Sequence, residues 1–298
     1  MWLKCVCAVL AVVTITSCGG GQVVSVDNVS LPEEPGRSTP SDPSIAPPYD
    51  NDQQQSGLPS PQTQPRVEDI TDLVLITGQS NALGAGTAYD VSLDSSDPYV
   101  FAFTDEGWRV ADLRQIWDRG WFPGTHPDSE PSNNFSLHFG KQLAASTANR
   151  VVGFILVTAP GRPISHWSSS GDFYQQIRSK VLDALNQLPT KSAVDGILWH
   201  QGESDGRDDD NYSRALYRLI DEFRSESWFG INRPFICGET ASLPVNRQLA
   251  KLNTDTDPWT ACVAGEGLPT KGDGAHFSAA GLRTIGRRYA DAYLKMLP

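Results

Sequence analysis

Beyond Arg66 the chain alternates short apolar runs with stretches whose apolar residues recur at helical spacing, and this alternation narrows the folds open to it. Residues 73–77, 151–158, 196–200, 235–237 and 260–264 read as buried strands. Between them, Ile177, Val181, Leu182, Leu185 and Leu188 keep one helical face, as do Leu216, Leu219, Ile220 and Phe223. In the last stretch Ser278 stands as an N-cap ahead of Leu282, Ile285, Tyr289, Tyr293 and Met296. Strands that alternate with helices imply an α/β fold with a parallel sheet covered on both sides. In such sheets the functional residues gather at the carboxyl ends of the strands. Residues 67–298 suit one domain of this kind.

The residues before that domain differ in composition. Lys4 gives a small positive start, and residues 5–15 form an apolar stretch too short to span a bilayer. Ile15-Thr16-Ser17-Cys18, followed by three glycines, resembles the bacterial lipobox, in which the cysteine is acylated after cleavage. Residues 1–17 are therefore expected to be a signal peptide, with lipidation at Cys18 anchoring the protein in the bacterial cell envelope. The competing reading is ordinary signal cleavage with Cys18 incidental. Residues 18–66, rich in Pro, Ser, Gln, Asp and Gly, cannot bury enough surface to offset their ordering entropy and read as a flexible linker. With Cys18 lipidated, and Cys5 and Cys7 removed with the signal, Cys237 and Cys262 remain as an even pair. They are either a disulfide or two buried thiols. The net charge of −11, with no Lys/Arg run longer than two, argues against nucleic acid and against an anionic membrane surface as partners. Membrane attachment is expected only through a lipid on Cys18.

Three motifs follow strands directly. Gly78-Gln79-Ser80-Asn81 can hold a serine on a tight turn, its hydroxyl exposed and its backbone N–H free; a capping serine is the alternative. Asp273-Gly274-Ala275-His276 precedes the final helix, where glycines at 272 and 274 permit a turn that brings the carboxylate beneath the imidazole. Such an aspartate fixes the histidine tautomer and stabilises the imidazolium that forms when serine gives up its proton. Trp199-His200-Gln201-Gly202-Glu203 supplies Gln201 as an oxyanion donor, and Glu203 either as the acid partner of a histidine or as a carboxylate satisfying loop amides.

Together these residues resemble the SGNH (GDSL-type) hydrolases, in the branch of sialate O-acetylesterases and family-six acetylxylan esterases. The branch's GQSN, Gly-Gly-Thr-x-Ile-x-x-Trp, QGE and DxxH blocks appear in order at 78–81, 161–167, 201–203 and 273–276. The resemblance implies a three-layer α/β/α sandwich with a central parallel sheet, flavodoxin-like, and metal-free ester hydrolysis without a cofactor. It assigns Ser80, Asp273 and His276 to a catalytic triad and Ser80, Gly161 and Gln201 to the oxyanion hole. Asn81, Arg162, Trp167 and Glu203 become substrate-contacting or supporting residues, and an acetylated carbohydrate becomes the expected substrate. The alternatives are a short-chain esterase on a non-sugar substrate and a non-catalytic carbohydrate-binding lipoprotein. One departure stands out. Pro160 replaces the first glycine of the pair and cannot donate a backbone hydrogen bond: if the family uses the second glycine, Gly161 serves with Ser80, and if it uses the first, the hole is one donor short.

Several other groups invite functional readings. Asp208-Asp209-Asp210 lacks EF-hand spacing and is expected to be a solvated acidic loop. The five histidines show no zinc-ligand spacing, and His138 is expected simply to pack. Trp108, Trp117, Trp121 and Trp167 are candidate sugar platforms, with core packing as the rival reading.

Overall fold

A computed structural model describes residues 64–84, 87–114, 133–241 and 243–297. All belong to the compact unit Ser60–Pro298. Cys18, Trp117, Trp121 and His126 lie outside the described residues, as do the expected signal peptide and nearly all of the expected linker.

Five of the strands form where the apolar runs predict them: β1 (Asp72–Gly78), β4 (Val152–Thr158), β5 (Gly196–His200), β6 (Phe235–Gly238) and β7 (Thr260–Val263). Two more, β2 (Val100–Thr104) and β3 (Gly107–Val110), form a hairpin that the apolar pattern left unread. The helices are α1 (Ser80–Leu83), α2 (Phe135–Ala144), α3 (Asp172–Asn186), α4 (Asp210–Ser225), α5 (Asn246–Leu249) and α6 (Ala279–Met296). Ser278 caps α6 as expected, its hydroxyl accepting from Gly281 N–H.

The sheet runs β3-β2-β4-β1-β5-β6-β7 and is parallel throughout except at the β2–β3 edge. β1 lies at its centre, hydrogen-bonded to β4 and β5. Side chains on successive strand residues point to opposite faces, so each strand feeds two cores. Leu73, Leu75, Ile155, Ile197 and Trp199 join Ile177, Val181, Leu216 and Phe223 of α3 and α4 on one face. Val74, Ile76, Phe154, Leu198 and Ile236 join Phe139, Leu282, Ile285 and Tyr289 of α2 and α6 on the other. This is the expected three-layer sandwich. A disulfide joins Cys237 of β6 to Cys262 of β7, which are register partners in the sheet.

Candidate active site

The four motifs leave the carboxyl ends of β1, β4, β5 and β7 and meet at one pole of the sheet. At the end of β1, a Cβ on Gly78 would lie 2.0 Å from the His200 carbonyl oxygen, so only glycine lets the β1 and β5 ends approach this closely. Gln79 N–H then bonds that same carbonyl at 2.9 Å. The Gln79 side-chain carbonyl accepts from the N–H groups of Gly202 and Ser204, at 3.4 and 3.3 Å, which ties the β5 loop to the β1 turn. Ser80 is the first residue of α1, so its N–H has no intrahelical partner.

Ser80 Oγ lies 2.8 Å from His276 Nε2, and His276 Nδ1 lies 2.8 Å from Asp273 Oδ2. The other Asp273 oxygen accepts from the N–H groups of His276 and Ala275, at 2.8 and 3.0 Å. These two backbone bonds, and then the imidazole, hold the Asp273 carboxyl well below the usual carboxylate range. An ionised Asp273 facing Nδ1 makes that nitrogen the N–H donor and leaves Nε2 as an acceptor for the serine hydroxyl. Ser80 is recessed, at 8 % exposure, while the His276–Asp273 turn borders solvent.

Asn81 grips the backbone on both sides of His276. Its Nδ2 donates to Ala275 O at 2.9 Å, and its Oδ1 accepts from Phe277 N–H at 3.0 Å. The second Nδ2 hydrogen goes to Glu203 Oε1. The residue next to Ser80 thus sets the register of the loop that carries His276.

Gln201 departs from its expected role. It is fully buried, and its amide donates to Asp205 Oδ2 at 2.6 Å and to the Arg162 carbonyl at 3.2 Å, while Tyr212 OH shares its one hydrogen between Gln201 O and Gln201 Oε1, at 2.9 and 3.0 Å. Both amide hydrogens are committed, so it is not free to serve as a third oxyanion donor. It anchors the 161–164 loop instead, together with Asp205, which accepts from Ile164 N–H at 2.9 Å. Glu203 is also buried away from the imidazole of His276. Its carboxyl faces Asn81 and His200, while His276 Nδ1 is paired with Asp273.

The remaining candidates separate into site and scaffold. Gly161 and Arg162 are exposed on the loop after β4. Trp167 has no exposed surface, donates to Thr77 Oγ1 at 3.1 Å and sits edge-on to Trp199 and Phe173; it supports the core and is no sugar platform. Trp108 donates to Ala184 O at the far edge of the sheet. His138 does more than pack: it meets the fully buried Asp94 at 2.8 Å, beside a bidentate Arg283. Asp208 pairs with Arg247 and Gln248, Asp209 caps α4, and Asp210 pairs with Lys251.

A three-layer α/β/α domain with a serine, a histidine and an aspartate in hydrogen-bonded series at the carboxyl pole has the form of an SGNH-type hydrolase. The family of carbohydrate esterases described as sialic acid-specific acetylesterase matches residues 70–295. The chain belongs to that family and is a carboxylic ester hydrolase. Among solved structures it is similar to a protein from Arabidopsis thaliana (TM-score 0.61, 20% identity, covering 75% of this chain and 98% of that one). It is also similar to NanS (0.59, 16%, 76% and 97%) and to a carbohydrate acetylesterase from Xanthomonas citri (0.51, 18%, 74% and 55%). At these identities the likeness is one of fold. No curated protein matches the chain in sequence.

Proposed function

We propose that this protein removes acetyl groups from carbohydrate hydroxyls through a Ser80–His276–Asp273 triad. The observation that carries the reading is the unbroken series from Ser80 Oγ through both imidazole nitrogens to an ionised Asp273, at 2.8 Å for each contact. Ser80 Oγ attacks the acetyl carbonyl as its proton passes to His276 Nε2. The N–H groups of Ser80 and Gly161 hold the oxyanion, and Gln201 acts through the loop that carries Gly161. Collapse of the tetrahedral intermediate expels the sugar hydroxyl, which takes the proton from His276, and leaves acetyl-Ser80. Water, deprotonated by the same nitrogen, then releases acetate and restores the serine. Family membership favours an acetylated sugar over a simple short-chain ester. Acetate release from acetylated glycans, compared with p-nitrophenyl acetate, tests this. Turnover of the simple ester alone would leave the enzyme without its sugar, and turnover of neither would favour the binding protein.

The lipobox-like Ser17-Cys18 sequence supports a second element of the reading, that the mature protein begins at an acylated Cys18 and is held at the cell envelope. No helix among the described residues is long and apolar enough to cross a membrane. Cys18→Ser should move the protein out of the detergent phase, or leave unprocessed precursor, with specific activity unchanged. Detergent partitioning that survives the change would refute the anchor.

A further inference from the structure

Behind the triad lies a buried polar cluster that the hydrolytic steps do not use. His200, at the end of β5, has no exposed surface, and the Glu203 side chain is 5 % exposed. Their nearest atoms, His200 Nε2 and Glu203 Oε1, are 3.6 Å apart. That is a few tenths of an ångström beyond hydrogen-bond reach. Among the described residues, neither His200 Nε2 nor Glu203 Oε2 has a hydrogen-bond partner.

The surrounding bonds fix where the protons are. Tyr289 OH has one hydrogen and donates it to Trp199 O at 2.7 Å. Its 3.1 Å contact with His200 Nδ1 therefore requires Nδ1–H to be the donor. Burial lowers the His200 pKa to about 3, so the ring is neutral and Nε2 carries only a lone pair. An ionised carboxylate facing that lone pair would be a buried charge set against an acceptor; a protonated one removes the charge and can turn a hydrogen toward the nitrogen. Burial also pushes the Glu203 pKa up to about 7, and Asp205 on the same loop adds to the rise. The other groups facing this carboxyl are Asn81 from α1, Tyr212 from α4 and Tyr289 from α6. None carries a positive charge. Gly238 on β6 keeps the arrangement open, since a Cβ there would lie 2.2 Å from Tyr289 Oη and 2.7 Å from His200 Nδ1.

We propose that Glu203 is a positioning residue held as a neutral carboxylic acid, donating its proton toward His200 Nε2 while its other role, accepting from Asn81, orients the amide that registers His276 against Ser80. The Asn81 orientation is dictated by the backbone: Ala275 O can only accept and Phe277 N–H can only donate, so the remaining amide hydrogen must find an acceptor at Glu203. The inference rests on the reading of His276 as the base of Ser80. It separates Glu203 from the triad acid, because a neutral acid does what a glutamine does. Glu203→Gln keeps an acceptor for Asn81 and an N–H donor for His200.

The test compares Glu203→Gln with Glu203→Leu. The glutamine variant should keep kcat close to wild type, whereas leucine should lower kcat by about 10- to 100-fold with KM little changed. In wild type, activity should fall as pH rises through the ionisation of Glu203, and this alkaline limb should be missing in Glu203→Gln. A glutamine variant as damaged as the leucine variant, or an alkaline limb that persists in it, would overturn the proposal. Should the leucine variant not fold, nitrogen NMR of the His200 ring decides. A neutral ring protonated at Nδ1, whose Nε2 signal shifts with pH near 7 in wild type but not in Glu203→Gln, supports it. A charged ring, or one protonated at Nε2, refutes it. The same spectrum on Ser80→Ala protein needs no turnover, so loss of the triad reading and loss of this one are told apart.

Discussion

Ser80→Ala removes the hydroxyl that faces His276 Nε2 while leaving the buried turn at the end of β1 in place. It should cut kcat by about a thousandfold or more with an unchanged unfolding midpoint, because nucleophile and base act as a unit. Asp273→Asn should cost about 10⁴ in kcat by favouring the wrong imidazole tautomer, the amide being unable to accept at every position the carboxylate fills. Paired with Glu203→Gln it identifies the acid: a silent Asp273→Asn beside an inactive Glu203→Gln would show that the wrong carboxylate was chosen. Gln201 gives a different signature from an oxyanion donor. Gln201→Ala removes the amide that donates to the half-buried Asp205 carboxylate and to the Arg162 carbonyl, at about 1–3 kcal/mol for the charged contact, so kcat and the unfolding midpoint should fall together. Lost turnover at unchanged stability would return Gln201 to the oxyanion hole.

At the scale of elements, three of the four strand-end loops of the site are stitched together by side chains of the GQSN turn. Gln79 binds the loop after β5, Asn81 binds the loop after β7, and Gly78 lets β1 and β5 close up. Gly238 plays the corresponding part for the buried cluster. Gly238→Ala forces Tyr289 Oη and His200 Nδ1 away from each other, and the shift should reach Glu203 and Asn81. Lower kcat together with a lower unfolding midpoint is the expected outcome, measured by kinetics and thermal melts. The disulfide between β6 and β7 closes a loop with a sequence separation of 25 residues. The entropy lost by the unfolded chain gives it about 3 kcal/mol in the loop-closure account, so a reductant should lower the unfolding midpoint by several degrees.

For the whole molecule, the buried pair makes stability depend on pH in an unusual way. Folded, Glu203 holds its proton up to about pH 7, and His200 takes none until about pH 3; unfolded, they titrate near 4.5 and 6.5. Glu203, its folded pKa raised, contributes stability that is lost as pH rises from 4.5 to about 7. His200, its folded pKa lowered, contributes stability that is lost as pH falls from 6.5 to about 3. Between 4.5 and 6.5 the folded and unfolded pairs each carry one proton, and the two slopes cancel. Glu203→Gln leaves His200 alone, so the acid loss of stability should begin near pH 6.5 rather than near 4.5. Melts of both proteins across this range check it; parallel curves would mean that Glu203 is ionised in the folded state.

The strand-forming runs, the helical faces and the four motifs are local properties of the chain, set by side-chain period and by residue type at fixed spacing. Five strands, the Ser278 cap and the grouping of Ser80, Asp273 and His276 were legible there for that reason. The β2–β3 hairpin was not, because its residues alternate little and its edge position leaves β3 partly exposed. Nor could Gln201, Trp167 and Glu203 be assigned from sequence. A glutamine is a free donor or a spent one, a tryptophan is a platform or a core filler, and a carboxyl is charged or neutral according to what surrounds it. Those surroundings come from loops some 40 to 200 residues apart in the chain, brought together by the sheet order. Spacing fixed which groups could react. Only burial and the competition for each hydrogen decided which of them are free to do so.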